Sequence, residues 1–303
     1  PLRRQRQMCI RDRLCAISRL WGALEGLDAD ESAALLNDLA ARTLLQLPSC
    51  HSEERSDEES QATLHDLLRD FITAELGEAS ALAAHRALLT AYCATQTGAG
   101  WHTAPDDGYL YTHLAYHLDT IGDYEALKAL FADDAWLHTR VAADNYTYDG
   151  YLEDLTLAWI QAQDLAARQI VDGQPPQAVA DSIHYALIYT TVNSLATNYA
   201  PELVARAVKT GLWSPERGMS VARHITKAEE QARMVIALLK TSGLSNALRR
   251  EAQWLGLAAA LSITTKKERA KNLSELSRYL EGTEREQALT ASLAAVRAIE
   301  DKQ

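Results

Sequence analysis

Ala222-Arg223-His224-Ile225 is followed, 7, 10 and 13 residues after Ile225, by Ala232, Val235 and Leu238. Ala260-Leu261-Ser262-Ile263 is followed at the same offsets by Ala270, Leu273 and Leu276. Val296-Arg297-Ala298-Ile299 repeats the opening of the pattern, so the spacings are 38 and then 36 residues. Apolar positions three and four apart predict helix, and a period of this length is one helical pair. Thr226/Glu229, Thr265/Glu268 and Thr283/Glu286 each read as a Thr-x-x-Glu box at a helix start. A lone pair cannot bury its apolar face, so residues 151–303 are expected to stack as an α-solenoid-like superhelical arm. Ile225, Ile263 and Ile299 should then occupy equivalent buried positions. The chain stops inside the third copy, which reads as a truncated C-terminus.

Toward the N-terminus the helical pattern continues. Leu152, Leu155, Trp159, Ala162 and Ala166 form one long stripe, and Gly173-Gln174-Pro175-Pro176 breaks it. Pro201 and Gly211 bracket another helix. Leu110, Leu114, Leu118 and Ile121 share one face, and Leu82, His85, Leu88, Leu89 and Tyr92 share another. The fold class is therefore all-α, with one exception near the start. Residues 14–47 read as helix, helix, strand, with Asp28 and Glu31 as a capping box. Thr43–Leu47 suits a strand, 48–61 is an acidic loop, and Ala62–Leu64 suits a partner strand. A helix follows from His65 to Leu76, closed by Gly77. This is the skeleton of a winged helix with a small β wing, over residues 14–77.

Composition narrows the function. The 303 residues are 47% hydrophobic and 23% charged, with 14 Gly and 7 Pro, which argues against a loop-rich β sandwich. No apolar run approaches the roughly 18 residues of a membrane span, so no membrane association is expected. The net charge of −11 opposes binding to a phosphate backbone, and nucleic acid is not an expected partner. The recognition helix of the wing, about 31–42, carries Glu31 and Asp38 against one Arg42, where a DNA reader needs cations. Four cysteines without metal-ligand spacing point to a reducing, cytoplasmic setting. The chain begins at Pro1, and six arginines fall within residues 1–19. No apolar segment follows them, so residues 1–13 are read as a non-native or disordered leader rather than a signal peptide or a nucleic-acid arm.

Leu64-His65-Asp66-Leu67-Leu68-Arg69-Asp70 resembles the end of the winged helix in NB-ARC-type signalling ATPases of the STAND class, with Leu64-His65-Asp66 where that family has its "MHD" motif. Leu20-Trp21 and Leu39–Leu45 are similar to the same domain. Gly100-Trp101, Asp106–Tyr109, His113–Leu118, Leu127-x-x-Leu130-Phe131 and Trp136-Leu137 resemble the helical domain that follows it in the apoptotic protease-activating factor of that family. The resemblance covers about 14–150 and implies a helical domain over 78–150. It also implies that His65 contacts the ADP phosphate in the full-length protein. The ATPase domain itself is missing: the sequence has no G-x-x-x-x-G-K-[ST] and no Gly-Lys pair. No cofactor is therefore expected in this fragment, and ADP or ATP belongs to the full-length protein.

Other candidate residues carry plainer readings. His113 and His117 are four apart, but no Glu stands at 114 and no third metal ligand is near, so packing is expected. Asp106, Asp107, Asp133 and Asp134 suit turns and caps better than a catalytic carboxylate pair. The six tryptophans read as core, with Trp213 before Ser214-Pro215 as a staple. Catalysis is not expected of this fragment. The function that follows is regulatory: an arm that docks a protein partner and a winged helix that couples docking to a nucleotide switch. The rival readings are a stand-alone helical-repeat scaffold, a winged-helix transcription regulator lacking a basic recognition helix, and a helical enzyme lacking convergent titratable residues.

Overall fold

The computed structural model describes residues 11–46, 61–64 and 66–300. Helices dominate: fourteen α-helices and one three-stranded sheet are found among the described residues. They divide into two compact units. The first holds the described residues up to Ala143 together with Asp154–Asp181, and the second holds Asp144–Glu153 and the residues from Ser182 onward.

In the first unit, β1 (Arg11–Arg13) leads into α1 (Leu14–Glu25) and α2 (Ala29–Ala41). Asp28 caps α2: its Oδ1 accepts from Glu31 N at 2.8 Å, and Glu31 Oε2 accepts from Asp28 N at 2.9 Å. Two otherwise orphaned helix-start donors are thereby satisfied. β2 (Leu45–Gln46) and β3 (Gln61–Leu64) pair antiparallel, Leu45 opposite Leu64 and Gln46 opposite Thr63. β3 covers the expected Ala62–Leu64, but β2 is shorter than the expected Thr43–Leu47: Thr43, at a φ of 59°, and Leu44 form a turn, and Leu47 lies outside the described residues. Residues 47–60, which include most of the expected acidic loop, lie outside the described residues.

The expected leader needs a correction. Arg11–Arg13 pair with the other edge of β3, Arg11 opposite Thr63 and Arg13 opposite Gln61, so the last three residues of 1–13 belong to the sheet. A three-residue strand is too short to show alternation, and its place comes from backbone pairing with β3, which composition does not reveal. Residues 1–10 lie outside the described residues.

α3 (Asp66–Cys93) is interrupted at Gly77, whose φ of 70° is a left-handed conformation that side chains resist. The helix break thus falls at the expected glycine. α4 (Leu110–Thr120), α5 (Tyr124–Phe131) and α6 (Asp134–Ala143) pack on one another and on α3. Leu88, Leu89, Tyr92, Leu114, Leu118 and Leu127 are buried there around Trp136, which has no exposed surface. α7 (Asp149–Val171) and α8 (Ala178–Thr197) are separated at Gly173–Pro176, the expected break.

In the second unit, α9 (Pro201–Lys209), α10 (Pro215–His224), α11 (Ala228–Leu239), α12 (Asn246–Ser262), α13 (Lys266–Leu276) and α14 (Gly282–Glu300) alternate between two layers. α9, α11 and α13 lie side by side in one layer, with α10, α12 and α14 in the other. Ile225 and Ile263 are each 3% exposed, and each ends its helix in the same extended conformation, at φ/ψ of −71°/118° and −61°/123°. They are equivalent, as the repeat demands. Ile299 is not: it lies inside α14 and is only half-buried.

The Thr-x-x-Glu boxes also differ from expectation. α11 starts after Lys227 and α13 after Thr265, neither with a side-chain cap. Their glutamates are used elsewhere: Glu229 pairs with Arg233 one turn on, and Glu268 reaches the same guanidinium from α13 at 3.6 Å. One α11 guanidinium thus faces both carboxylates, Glu229 within its own helix and Glu268 across to α13.

A second 38-residue relation is visible only in three dimensions. Gly218 and Gly256 are buried or nearly so where their helices cross the opposite layer, and a Cβ on either would come within 2.8 Å of a valine methyl, Val208 or Val235. Each glycine also faces a leucine of the following helix, Leu238 or Leu276, themselves 38 residues apart. Gly256→Ala must therefore push α11 or α12 aside. It should destabilise the second unit by about 1–3 kcal/mol, read as a lower urea midpoint. An unchanged midpoint would show that the crossing has slack.

Candidate functional site

The polar centre of the first unit is built on α3 and α4. α4 carries His113 and His117 one turn apart, and α3 brings His85 to the same place. His117 is 5% exposed. Its Nδ1 lies 2.6 Å from His85 Nδ1 and its Nε2 lies 2.9 Å from the Tyr109 hydroxyl. One of the two facing Nδ1 atoms must carry a proton and the other must not, so the chain of bonds fits two neutral rings. Burial drives the His117 pKa down to about 3, with the neighbouring His85 and His113 adding to the effect; burial lowers His85 as well. His113 turns away and stacks flat on Tyr109, with ring centroids 4.2 Å apart. The two α4 histidines therefore do not converge on a metal, and no group of three or more metal-ligating side chains occurs among the described residues.

A folded-state pKa near 3 against an ordinary 6.5 sets the direction of the pH dependence. Between those values the unfolded chain takes up a proton at His117 that the folded chain refuses. The stabilisation is full above pH 6.5 and is lost as pH falls toward 3. The slope per group is about 1.4 kcal/mol per pH unit. His117→Gln, which keeps a neutral hydrogen-bonding side chain, should flatten that part of the stability profile measured by urea unfolding. Parallel profiles for the two proteins would contradict the burial argument.

Beside this chain, Asp107 joins three segments. Its Oδ1 accepts from the backbone of Tyr109 and Leu110 at the start of α4, and its Oδ2 accepts from the Tyr92 hydroxyl at 2.7 Å. Arg19 of α1 lies 3.7 Å from Asp107 and 4.6 Å above the Tyr92 ring. Burial, reinforced by Asp107, pushes the Tyr92 hydroxyl well above its ordinary range, so it stays a donor. Asp106 accepts from Gly108 N, and Asp133 accepts from Ala135 N and bonds His102 Nδ1 at 2.8 Å. Asp106, Asp107 and Asp133 perform the turn and cap roles expected of them, and Asp134 lies in the first turn of α6. Arg140 and Asp154, both almost fully buried, form an ion pair at 2.8 Å that holds α6 against α7.

The second unit contains a cluster that the sequence did not disclose. Arg223 bonds Asp149 at 2.6 Å and grips Glu251 with two nitrogens at 2.6 and 3.1 Å. His224 lies 2.9 Å from Asp149 and bonds Asn193 through Nδ1. Burial would raise the Asp149 pKa, but hydrogen bonds from His224 and Ser220 and the Arg223 charge outweigh it and hold the group below the ordinary range. Arg223 has a counterpart in Arg297, but His224 stands where the other copies have Ser262 and Ala298, and that departure inside a repeat was the available signal. Trp213 stands before the Ser214 cap of α10, as expected, but N4 is Gly218, so no apolar staple forms; the Arg217 guanidinium covers the Trp213 ring at 4.2 Å instead. Trp254 departs from the core reading, being 71% exposed.

These clusters fasten helices together, and none sets a nucleophile beside a base. His65, the one expected cofactor-binding residue, lies outside the described residues. Cys15 and Cys93 are not in disulfides. Among the described residues no helix is long and apolar enough to cross a membrane. Comparison with curated proteins and with solved structures found no match. Comparison with family models found one: residues 82–162, from α3 beyond Gly77 into α7, match the APAF-1 helical domain, so the histidine chain, the Asp107 junction and the Arg140–Asp154 pair all lie in or against a segment similar to that domain.

Proposed function

We propose that the chain is the regulatory, partner-binding portion of a STAND-class, NB-ARC-like signal-transduction NTPase. The match of residues 82–162 to the APAF-1 helical domain carries this reading. The order β1, α1, α2, β2, β3 ahead of that segment is compatible with a winged helix. Arg19 ties α1 to Tyr92 and Asp107 of the matched segment, a route by which movement of one would be felt by the other. The alternating layers of α9–α14 supply a surface on which a protein partner can dock. In this reading the protein is cytoplasmic and the nucleotide is held by an ATPase domain, because this sequence supplies no phosphate-cradling loop. His65 would contact the ADP phosphate from the winged-helix side, as the resemblance implies. Partner docking acts only so far as the partner binds the open and closed states unequally.

The test joins the chain to an NB-ARC-type ATPase module and follows release of fluorescent ADP. The chain should slow release, and His65→Ala should restore it. The chain alone should neither hydrolyse ATP nor bind it tightly. Release rates indifferent to the chain, or turnover by the chain alone, would remove the reading.

A further inference from the structure

In the second unit, α9, α11 and α13 border an open groove of about 530 Å³. Arg206 and Lys209 come from α9, Arg233 and Lys240 from α11, and Lys271 from α13. Only two carboxylates, Glu202 and Glu275, share the lining with these five cations, in a chain whose net charge is −11. Local ion pairing accounts for part of the set: Lys240 bonds Glu275 at 2.7 Å, and Arg233 is shared between Glu229 and Glu268. Arg206, Lys209 and Lys271 have no ion pair among the described residues, and all three are exposed. Like charges gathered along one groove repel each other and raise the local concentration of anions. The apolar part of the lining comes from the partly exposed Ala205 and Ala237 and from Ile236, which is 3% exposed.

We propose that this groove docks an acidic peptide segment of a partner protein. Its carboxylates would meet Arg206, Lys209 and Lys271, and its apolar side chains would rest on Ala205 and Ala237. The inference rests on the reading of the second unit as a docking arm and names the chemistry of the partner. Nucleic acid fits the groove less well. No aromatic side chain lines it, so bases have no stacking platform. Glu202 and Glu275 interrupt the positive track that a continuous phosphate backbone follows, and the chain's overall negative charge repels a long polyanion. A peptide alternating acidic and apolar residues suits the mixed lining.

The test uses the whole chain and a fluorescein-labelled peptide of repeated Glu-Glu-Leu, followed by fluorescence anisotropy. The peptide should bind saturably, and binding should weaken as salt is raised. Lys209→Glu with Lys271→Glu should weaken it about tenfold. Arg250→Glu with Arg297→Glu makes the same change of net charge on the opposite layer and should leave binding intact. All four side chains are exposed, and circular dichroism confirms the fold of each variant. Equal loss from the two double variants, equal binding of a Gln-Gln-Leu peptide, tighter binding of oligouridylate through the same lysines, or no saturable peptide binding at low salt would each overturn the proposal. None of these results bears on the rate of ADP release from a joined ATPase module, so the groove and the regulatory reading fail separately.

Discussion

Asp154→Ala is expected to destabilise the first unit by about 3–5 kcal/mol, the range for removing one partner of a buried ion pair. Arg140 and Asp154 side chains are 4% and 1% exposed, and the Nε–Oδ2 distance is 2.8 Å. Removing the carboxylate takes this ion pair from a guanidinium held between α6 and α7 and only 4% exposed. The pair is costly to break but need not stabilise much as a whole, because both ions were first taken out of water. Arg140→Met combined with Asp154→Leu should therefore lose far less than Asp154→Ala alone. Hydrogen exchange followed by mass spectrometry would locate the loss, which should fall on residues of the first unit. A single variant no worse than the double one would mean that water reaches the guanidinium once Asp154 is gone.

The same pair shows where sequence reasoning stops. Leu152, Leu155, Ala162 and Ala166 announce one buried stripe of α7 by their spacing, and all four are buried. Asp154 sits within that stretch, yet nothing in its spacing separates a buried acid from an exposed one such as Glu153. Its partner is 14 residues away on another helix, and such a relation has no period. His85 and His117 are alike in this respect: each lies on a legible apolar face, but their meeting depends on how α3 crosses α4. Local signals did better. The Asp28–Glu31 box, the Gly77 break, the Pro201 start and the strands at Leu45–Gln46 and Gln61–Leu64 are all written within a few residues of where they act. The first two threonine boxes of the repeats are written just as locally and did not form caps: α11 starts one residue late, after Lys227, Thr265 makes no side-chain cap, and Glu229 and Glu268 both face Arg233. Gly218 and Gly256 had the right 38-residue spacing all along. The apolar pattern hid them, since a glycine contributes to packing by what it leaves out.

Ile263→Asp is the corresponding test of the second unit. Ile263 is 3% exposed and belongs to the continuous apolar cluster that runs through α10, α11, α12 and α13. It closes α12 in an extended conformation, so its side chain is carried by a backbone turn that leads directly into α13. An aspartate there would bring a charge into that cluster, and the cost should be several kcal/mol. Ile225→Asp should cost a similar amount, because Ile225 has the same burial, the same end-of-helix geometry and the same 38-residue relation to its neighbours. Ile299→Asp should cost clearly less, since that side chain is only half-buried within α14. In a stack where each pair contacts only its neighbours, lost protection should spread outward from the substituted pair and remain within the second unit. Hydrogen exchange on the three variants separates the outcomes. Large, matching losses around Ile225 and Ile263 with a small one at Ile299 would make the 38-residue period an energetic repeat as well as a geometric one. Three equal losses, or a loss spread evenly over both units, would mean that the period organises the sequence without organising the stability.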